Sequence, residues 1–82
     1  SMSTSKTSLE ALAIGIDIGG TGTKFGIVDR VGKVLFSGEM STRNHSEIDD
    51  YINELYNQIQ PLIQRIGGIG RIKAIGIGAP NA

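Results

Sequence analysis

The chain has 82 residues, no cysteine, and a formal net charge of zero from eight basic and eight acidic side chains. A chain of this length forms at most one small domain with a thin hydrophobic core. The balanced, scattered charges argue against a nucleic-acid surface or a membrane-surface patch, and the absence of cysteine excludes disulfides and thiolate zinc sites.

The first eight residues are polar and lack the apolar core of a secretory signal. Ser1 ahead of Met2 looks like a residue left by tag cleavage. We therefore expect residues 1–8 to be a disordered leader and residues 9–82 to form the ordered part. No run approaches the roughly 18 apolar residues of a membrane span. Together with the lack of cysteine, these features predict a cytoplasmic protein with no membrane partner.

Alternating isoleucines predict the first strand at about residues 13–18. Ile14, Ile16 and Ile18 share one face of this strand, whereas Asp17 points to the other face. The carboxylate of Asp17 is therefore expected to stay free of the apolar core.

Gly19 and Gly20 allow the chain to reverse into a second strand at about residues 23–29. The hairpin tip carries polar side chains, namely Asp17, Thr21, Thr23 and Lys24. A carboxylate, two hydroxyls and an ammonium beside glycines that a ligand can approach closely are typical of a site for a metal-bound phosphate. A plain structural turn between two apolar strands is the alternative interpretation.

A turn at residues 29–32 and a third strand at about residues 33–40 predict an antiparallel meander of three strands. Ser46, followed by Asp49, predicts the start of a helix, and Gly67-Gly68 predicts its end. Its apolar stripe recurs at spacings of three and four, at Ile48, Ile52, Leu55, Ile59, Leu62, Ile63 and Ile66.

Pro61 lies inside this helical pattern and predicts a kink or a break near Asn57, because proline removes a backbone donor and clashes with the carbonyl four residues back. Tyr51 and Tyr56 are expected to pack against the sheet. His45, in the polar connection before the helix, is expected to be inert.

A fourth strand at about residues 72–77 is apolar or small on both faces, which is typical of a strand buried in a parallel sheet. A right-handed crossover through the helix places this strand beside the first. The predicted fold is therefore α/β, with element order β-β-β-α-β and sheet order 3-2-1-4.

The segment at residues 17–24, Asp-Ile-Gly-Gly-Thr-Gly-Thr-Lys, resembles the first phosphate motif of the sugar kinase, heat-shock ATPase and actin superfamily. The doubled glycine followed by threonine is most similar to the ROK family, which includes bacterial glucokinases. This resemblance implies a ribonuclease-H-like half-lobe of an actin-like ATPase, truncated before its remaining strands. The chain is accordingly expected to be an amino-terminal part of a sugar kinase lobe, with strand four left as an open edge.

The resemblance also implies roles for individual residues. Asp17 matches the residue that interacts with the magnesium of Mg-ATP, commonly through water. The backbone amides at Gly19, Gly20 and Thr21 match the turn that faces the phosphates. Thr23 and Lys24 complete the cofactor-binding set, and for Lys24 an ordinary solvated lysine is the alternative.

A second segment, Gly-Ile-Gly-Ala-Pro-Asn at residues 76–81, follows the predicted fourth strand. ROK kinases carry a Gly-x-Gly-x-Pro segment there, near the sugar, so the resemblance implies that Pro80 and Asn81 bind substrate. Asn81 departs from the glycine that usually follows the proline, and a simple strand-ending turn is the alternative.

The implied activity is phosphoryl transfer from Mg-ATP to a hexose by a glucokinase-type sugar kinase. The family's catalytic aspartate, second phosphate loop and further sugar-binding residues have no counterpart in these 82 residues. We therefore assign no catalytic residue and expect the chain alone to be inactive.

Two other functions stay open. The chain could be the sugar-sensing lobe of a ROK transcriptional repressor, which requires a DNA-binding module of several dozen residues ahead of the motif; only 16 residues precede Asp17. It could also be a non-catalytic interaction module, although such modules have little use for the Asp, Gly-Gly and Thr combination. Because strand four leaves an open apolar edge, a homo-oligomer is expected.

Overall fold

A computed structural model describes residues 10–80, within which four strands and one α-helix lie. The meander consists of β1 (Leu12–Ile18), β2 (Gly22–Val28) and β3 (Val34–Ser41). Helix α1 (Ile48–Arg65) and a short 3-10 helix (Ile69–Arg71) lead to β4 (Ile72–Gly78). The predicted strand boundaries agree with these to within about one residue, whereas the predicted leader lies outside the described residues.

The four strands form one mixed sheet in the order β3-β2-β1-β4. β1 pairs antiparallel with β2 and parallel with β4, and β2 pairs antiparallel with β3. Short turns join the antiparallel strands, and α1 provides the long crossover that a parallel pair needs. The predicted sheet order is confirmed.

The core lies between one face of the sheet and α1. The strands contribute Leu12, Ile14, Phe25, Ile27 and Met40, and the helix and its C-cap contribute Tyr51, Leu55, Ile59, Ile63 and Ile66. Strand residues at even spacing point to one face, so Asp17 and Lys24 lie on the opposite, open face. The alternation predicted for β1 is therefore confirmed, and β2 alternates in the same way.

Helix α1 differs from its prediction at the N-terminus. It begins at Ile48, with Glu47 as the N-cap and no side-chain capping bond, so Ser46 is not the cap. Asp49 and Asp50 place two carboxylates in the first turn, where negative charge complements the helix dipole. The first turn is stabilised by this charge and has no side-chain cap.

Of the kink or break predicted near Asn57, the break is wrong, because α1 continues through Pro61 to Arg65. The predicted stripe is wrong at Ile48 and Ile52, which are 70% and 50% exposed, and Tyr51 takes the buried position instead. Tyr51 packs as expected, but Tyr56 is 61% exposed. The buried stripe of α1 is rotated relative to the predicted one, because the Tyr51 hydroxyl contacts the hydroxyl of Thr23 in β2.

The glycine pair ends the helix as predicted. The Gly68 N–H donates to the carbonyl of Ile63 at 2.9 Å, and the Gly67 N–H donates to that of Gln64 at 3.2 Å. Both glycines have positive φ, at 109° and 106°. This pair of bonds is a Schellman C-cap, which satisfies the last helical carbonyls.

β4 has the composition of a buried strand, but it lies at the edge of the sheet and is exposed from Lys73 onward. Its Ile75 and Ile77 are 60% and 66% exposed. Among residues 10–80, no helix is long and apolar enough to cross a membrane.

Candidate functional site: the turn between β1 and β2

Two rows of residues cross the open face of the sheet in register. One row runs through Ser37, Gly26, Gly15 and Gly76, and the next through Glu39, Lys24, Asp17 and Gly78. Because three of the four strands contribute glycine to the first row, the face carries almost no side chain there. The rows border a groove of about 430 Å³.

Asp17 and Lys24 are neighbours across β1 and β2, and both side chains are exposed. Within the described part of the chain, neither side chain has a hydrogen-bond or salt-bridge partner. A carboxylate and an ammonium thus face the groove with their bonding capacity free.

The turn at residues 19–22, hereafter the 19–22 turn, connects the end of β1 to the start of β2, next to the row that contains Asp17 and Lys24. The Gly19 N–H donates to the Gly22 carbonyl at 2.9 Å, so the Gly19 amide is used inside the turn. The amides of Gly20 and Thr21 bond to no described residue. Two of the three predicted phosphate-facing amides are therefore free.

Gly19 and Gly20 differ in whether the fold requires glycine at their positions. A Cβ at Gly19 would lie 2.8 Å from the Gly22 carbonyl oxygen, so the compact turn itself requires glycine there. A Cβ at Gly20 would meet nothing within 4 Å, and Gly20 does not have positive φ. The fold explains Gly19 but not Gly20, and Gly15, Gly70 and Gly76 also have open space at Cβ. At Gly20 the missing side chain leaves the free amides of the turn open to a ligand.

Thr23 is placed differently from the other predicted residues. It is fully buried on the helix side of β2. Its hydroxyl oxygen lies 2.7 Å from the Tyr51 hydroxyl and 2.8 Å from that of Thr42. In this arrangement Thr23 ties β2 to the helix behind the turn and does not reach the groove.

The second predicted segment comes close to the first. β4 runs parallel to β1, so Gly78 pairs with Asp17, and a Cβ at Gly78 would lie 3.8 Å from Asp17 Oδ1. Pro80 is exposed two residues further on. Asn81 lies outside the described residues. The parallel pairing therefore brings Gly78, the second glycine of the Gly-x-Gly-x-Pro segment, beside the carboxylate.

The loop between β3 and α1 contributes contacts that the sequence did not reveal. The Thr42 N–H donates to the Thr21 carbonyl at 3.0 Å, and Arg43 Nε donates to the Gly20 carbonyl at 3.0 Å. His45, predicted to be inert, bonds through Nε2 to Glu54 Oε1 at 2.6 Å and packs edge-on against Tyr51. Its role is to anchor the loop to α1.

As a metal site, the groove offers one carboxylate, that of Asp17; Glu39 lies in the same row but on β3, with Lys24 on β2 between them. Among residues 10–80, no three His, Cys, Asp or Glu side chains cluster. Asp17 with free amides nearby fits a hydrated Mg²⁺ that a phosphate also ligates, because Mg²⁺ keeps several waters and needs few protein ligands.

The fold of this chain is the fold of actin-like ATPase sugar kinases. A ROK family glucokinase from Streptomyces griseus, solved with glucose and AMPPNP, matches with a TM-score of 0.64 and 29% identity. The match covers 84% of this chain and 20% of the glucokinase. The chain has the fold of the ROK family and of related sugar kinases, and the predicted resemblance is confirmed.

Two further solved structures share this fold. A protein described as a sugar kinase from Cytophaga hutchinsonii matches with a TM-score of 0.64 and 25% identity, covering 88% of this chain and 23% of that one. Gluconate kinase from Lactobacillus acidophilus shares the fold with a TM-score of 0.67, 24% identity, and coverage of 85% and 15%. The chain thus spans less than a quarter of each of these proteins.

No protein-family model matches the sequence. The comparison with curated proteins also found no match.

Proposed function

We propose that this chain supplies the first phosphate-binding turn of an ATP-dependent sugar kinase. The observation that carries the proposal is Gly20, a glycine that neither packing nor backbone conformation requires, at a turn with two free amides. An anion bound there would accept from the Gly20 and Thr21 amides. Asp17 and Lys24 face the groove beside it.

Each residue has a distinct task in this proposal. Asp17 holds the hydrated Mg²⁺ of Mg-ATP, which supplies charge stabilisation for phosphoryl transfer. The two free amides orient the phosphates, and Lys24 adds a positive charge on the neighbouring strand. Pro80 follows Gly78, which lines the groove, and is assigned to the hexose.

The substrate is the finer part of the proposal. The S. griseus neighbour was solved with glucose and AMPPNP, and its match supports a hexose, foremost glucose, and an adenine nucleotide for this chain. The chain spans 20% of that neighbour, so we propose that catalysis needs residues outside it and that the isolated chain has no kinase activity. The cytoplasmic location and the homo-oligomer stay predictions.

The test is an Asp17→Ala variant in a kinase that contains this segment. We expect kcat to fall about a hundredfold or more with the fold intact, because an exposed strand-end carboxylate adds little packing and metal stabilisation contributes several kcal/mol. Asp49→Asn, an exposed carboxylate in the first turn of α1, is the control and should keep its kcat. Equal kcat for wild type and Asp17→Ala at saturating magnesium contradicts the assignment.

The same coupled ADP-release assay, run on the 82-residue chain with glucose and Mg-ATP, should give background only. Turnover that depends on Asp17 would show that the chain needs no further catalytic residues.

A further inference from the structure

Arg43 is the one side chain of the described residues that bonds to the backbone of the 19–22 turn. Its Nε donates to the Gly20 carbonyl at 3.0 Å across 23 residues of sequence. The Arg43 backbone is itself held, because its N–H donates to Ser41 Oγ at 3.2 Å. The arginine therefore reaches the turn from a fixed position at the end of β3.

This bond sets the direction of an amide. The Gly20 carbonyl and the Thr21 N–H belong to one planar trans peptide and point in opposite directions. When Arg43 holds the carbonyl on the loop side, the Thr21 N–H is directed away from the loop. Thr21 is one of the two free amides of the turn.

A second bond acts on the next peptide. The Thr42 N–H donates to the Thr21 carbonyl at 3.0 Å, so consecutive loop residues hold consecutive carbonyls of the turn. The Thr42 hydroxyl also contacts Thr23, which contacts Tyr51 on α1. The turn is thereby braced against the helix, although Gly20 would otherwise leave its backbone unconstrained.

We propose that Arg43 is a positioning residue for the phosphate site: its Nε–H fixes the Gly20–Thr21 peptide so that the Thr21 amide is preorganised for an anion. The inference rests on the proposed phosphate function. The preorganisation lowers the ordering cost that a flexible glycine turn would incur on binding.

Two substitutions separate this hydrogen bond from the charge of arginine. Arg43→Gln removes the charge but keeps an N–H donor, because the Nε2 of glutamine is as many bonds from Cα as the Nε of arginine. Arg43→Met has a similar length but has neither the donor nor the charge. Arg43→Lys keeps the charge without the planar Nε–H. Arg30→Met is the matched control, since Arg30 is an exposed arginine in the turn at the other end of β2.

The first measurement is the affinity of the 82-residue chain for AMPPNP with Mg²⁺, by titration calorimetry. We expect Arg43→Met to bind about three- to tenfold more weakly, which corresponds to one net hydrogen bond. Arg43→Gln should recover most of the loss, and Arg30→Met should bind as wild type does. Unchanged binding by Arg43→Met, or a loss in Arg43→Gln that Arg43→Lys does not share, overturns the proposal.

The second measurement needs no ligand. In ¹H–¹⁵N spectra of the free chain, the Thr21 amide signal should move in Arg43→Met and return in Arg43→Gln, while the Gly67 and Gly68 signals stay in place and report an intact fold. A Thr21 signal that is the same in all variants overturns the proposal. If the wild-type chain binds no AMPPNP, the proposed function fails, and this spectrum still decides whether Arg43 holds the turn.

Discussion

Thr23 shows that a residue matching a phosphate motif can serve the fold instead of the ligand. Its hydroxyl is fully buried and lies within 2.8 Å of two other hydroxyls, those of Tyr51 and Thr42. The alternation that assigns Phe25 and Ile27 to the helix side assigns Thr23 to the same side. Its hydrogen bonds make it a structural link between β2, the loop and α1.

Replacing Thr23 with valine should therefore destabilise the chain. The change preserves shape but leaves the buried Tyr51 hydroxyl without this partner, so we expect the free energy of unfolding to fall by about 1–3 kcal/mol. Urea unfolding followed by circular dichroism measures the loss. In a double-mutant cycle, Tyr51→Phe should cost less in the Thr23→Val background than in wild type.

Thr21→Val is the control for this prediction, because it makes the same chemical change at an exposed hydroxyl. Its free energy of unfolding should stay within about 0.5 kcal/mol of wild type. Additive effects of Thr23→Val and Tyr51→Phe would show that the two hydroxyls are not coupled.

The site residues were predictable from the sequence to different degrees. Asp17 and Lys24 follow from strand alternation and a hairpin, which are local patterns. The bond between Arg43 and Gly20 spans 23 residues, and no local pattern reports it. Arg71 is a similar case, since its guanidinium donates to the carbonyls of Ile66 and Glu10 and so joins the end of α1 to the start of β1.

At the scale of elements, the sequence predicted that α1 is an amphipathic helix, but it did not predict that the helix continues through Pro61. Buried residues lie on both sides of the proline, with Leu55 and Ile59 before it and Ile63 and Ile66 after it. Burying such side chains contributes about 1.5–3 kcal/mol each, whereas an interior proline costs about 3 kcal/mol. Packing therefore outweighs the local penalty, and sequence propensity alone cannot weigh the two terms.

It follows that Pro61→Ala should stabilise the chain. Pro61 is exposed, so alanine loses no packing and restores a helical N–H. We expect a gain of about 2 kcal/mol, because the helix gain of about 3 kcal/mol is offset by up to about 1 kcal/mol through the greater freedom of the unfolded chain.

The midpoint of urea unfolding measures this gain, with Gln64→Ala as the control. Gln64 is an exposed residue in the same helix, and its replacement should change stability by less than about 0.5 kcal/mol. An unchanged or lower midpoint for Pro61→Ala would mean that the proline relieves some other strain in α1.

At the scale of the molecule, sheet order 3-2-1-4 was predictable because short turns and a right-handed crossover allow few alternatives. The extent to which helices cover the sheet was not predictable from the sequence. One helix packs on one face, and on that face a groove of about 250 Å³ stays open between α1 and β4. Its walls are apolar and include Ile16, Ile52, Tyr56, Ile69 and Ile75.

The open groove and the edge of β4 together predict self-association of the 82-residue chain. Ile69, Ile75 and Ile77 are each at least 60% exposed, and β4 has no strand partner on its outer side among residues 10–80. An unpaired apolar edge can pair with another chain, and a two-fold related β4 would add both backbone bonds and isoleucine contacts. Exposed apolar patches of this kind mark interaction surfaces.

Sedimentation velocity or light scattering over a concentration series measures the association. Ile75→Lys should shift the equilibrium toward monomer, because a lysine in the groove would lose its hydration when two chains pair. Val31→Lys is the matched control: Val31 is 86% exposed in the turn between β2 and β3, away from the β4 edge, and its replacement should leave the association constant unchanged. A folded wild-type chain that stays monomeric at millimolar concentration contradicts the prediction. Equal effects of the two lysine substitutions would assign the association to general surface hydrophobicity instead of to β4.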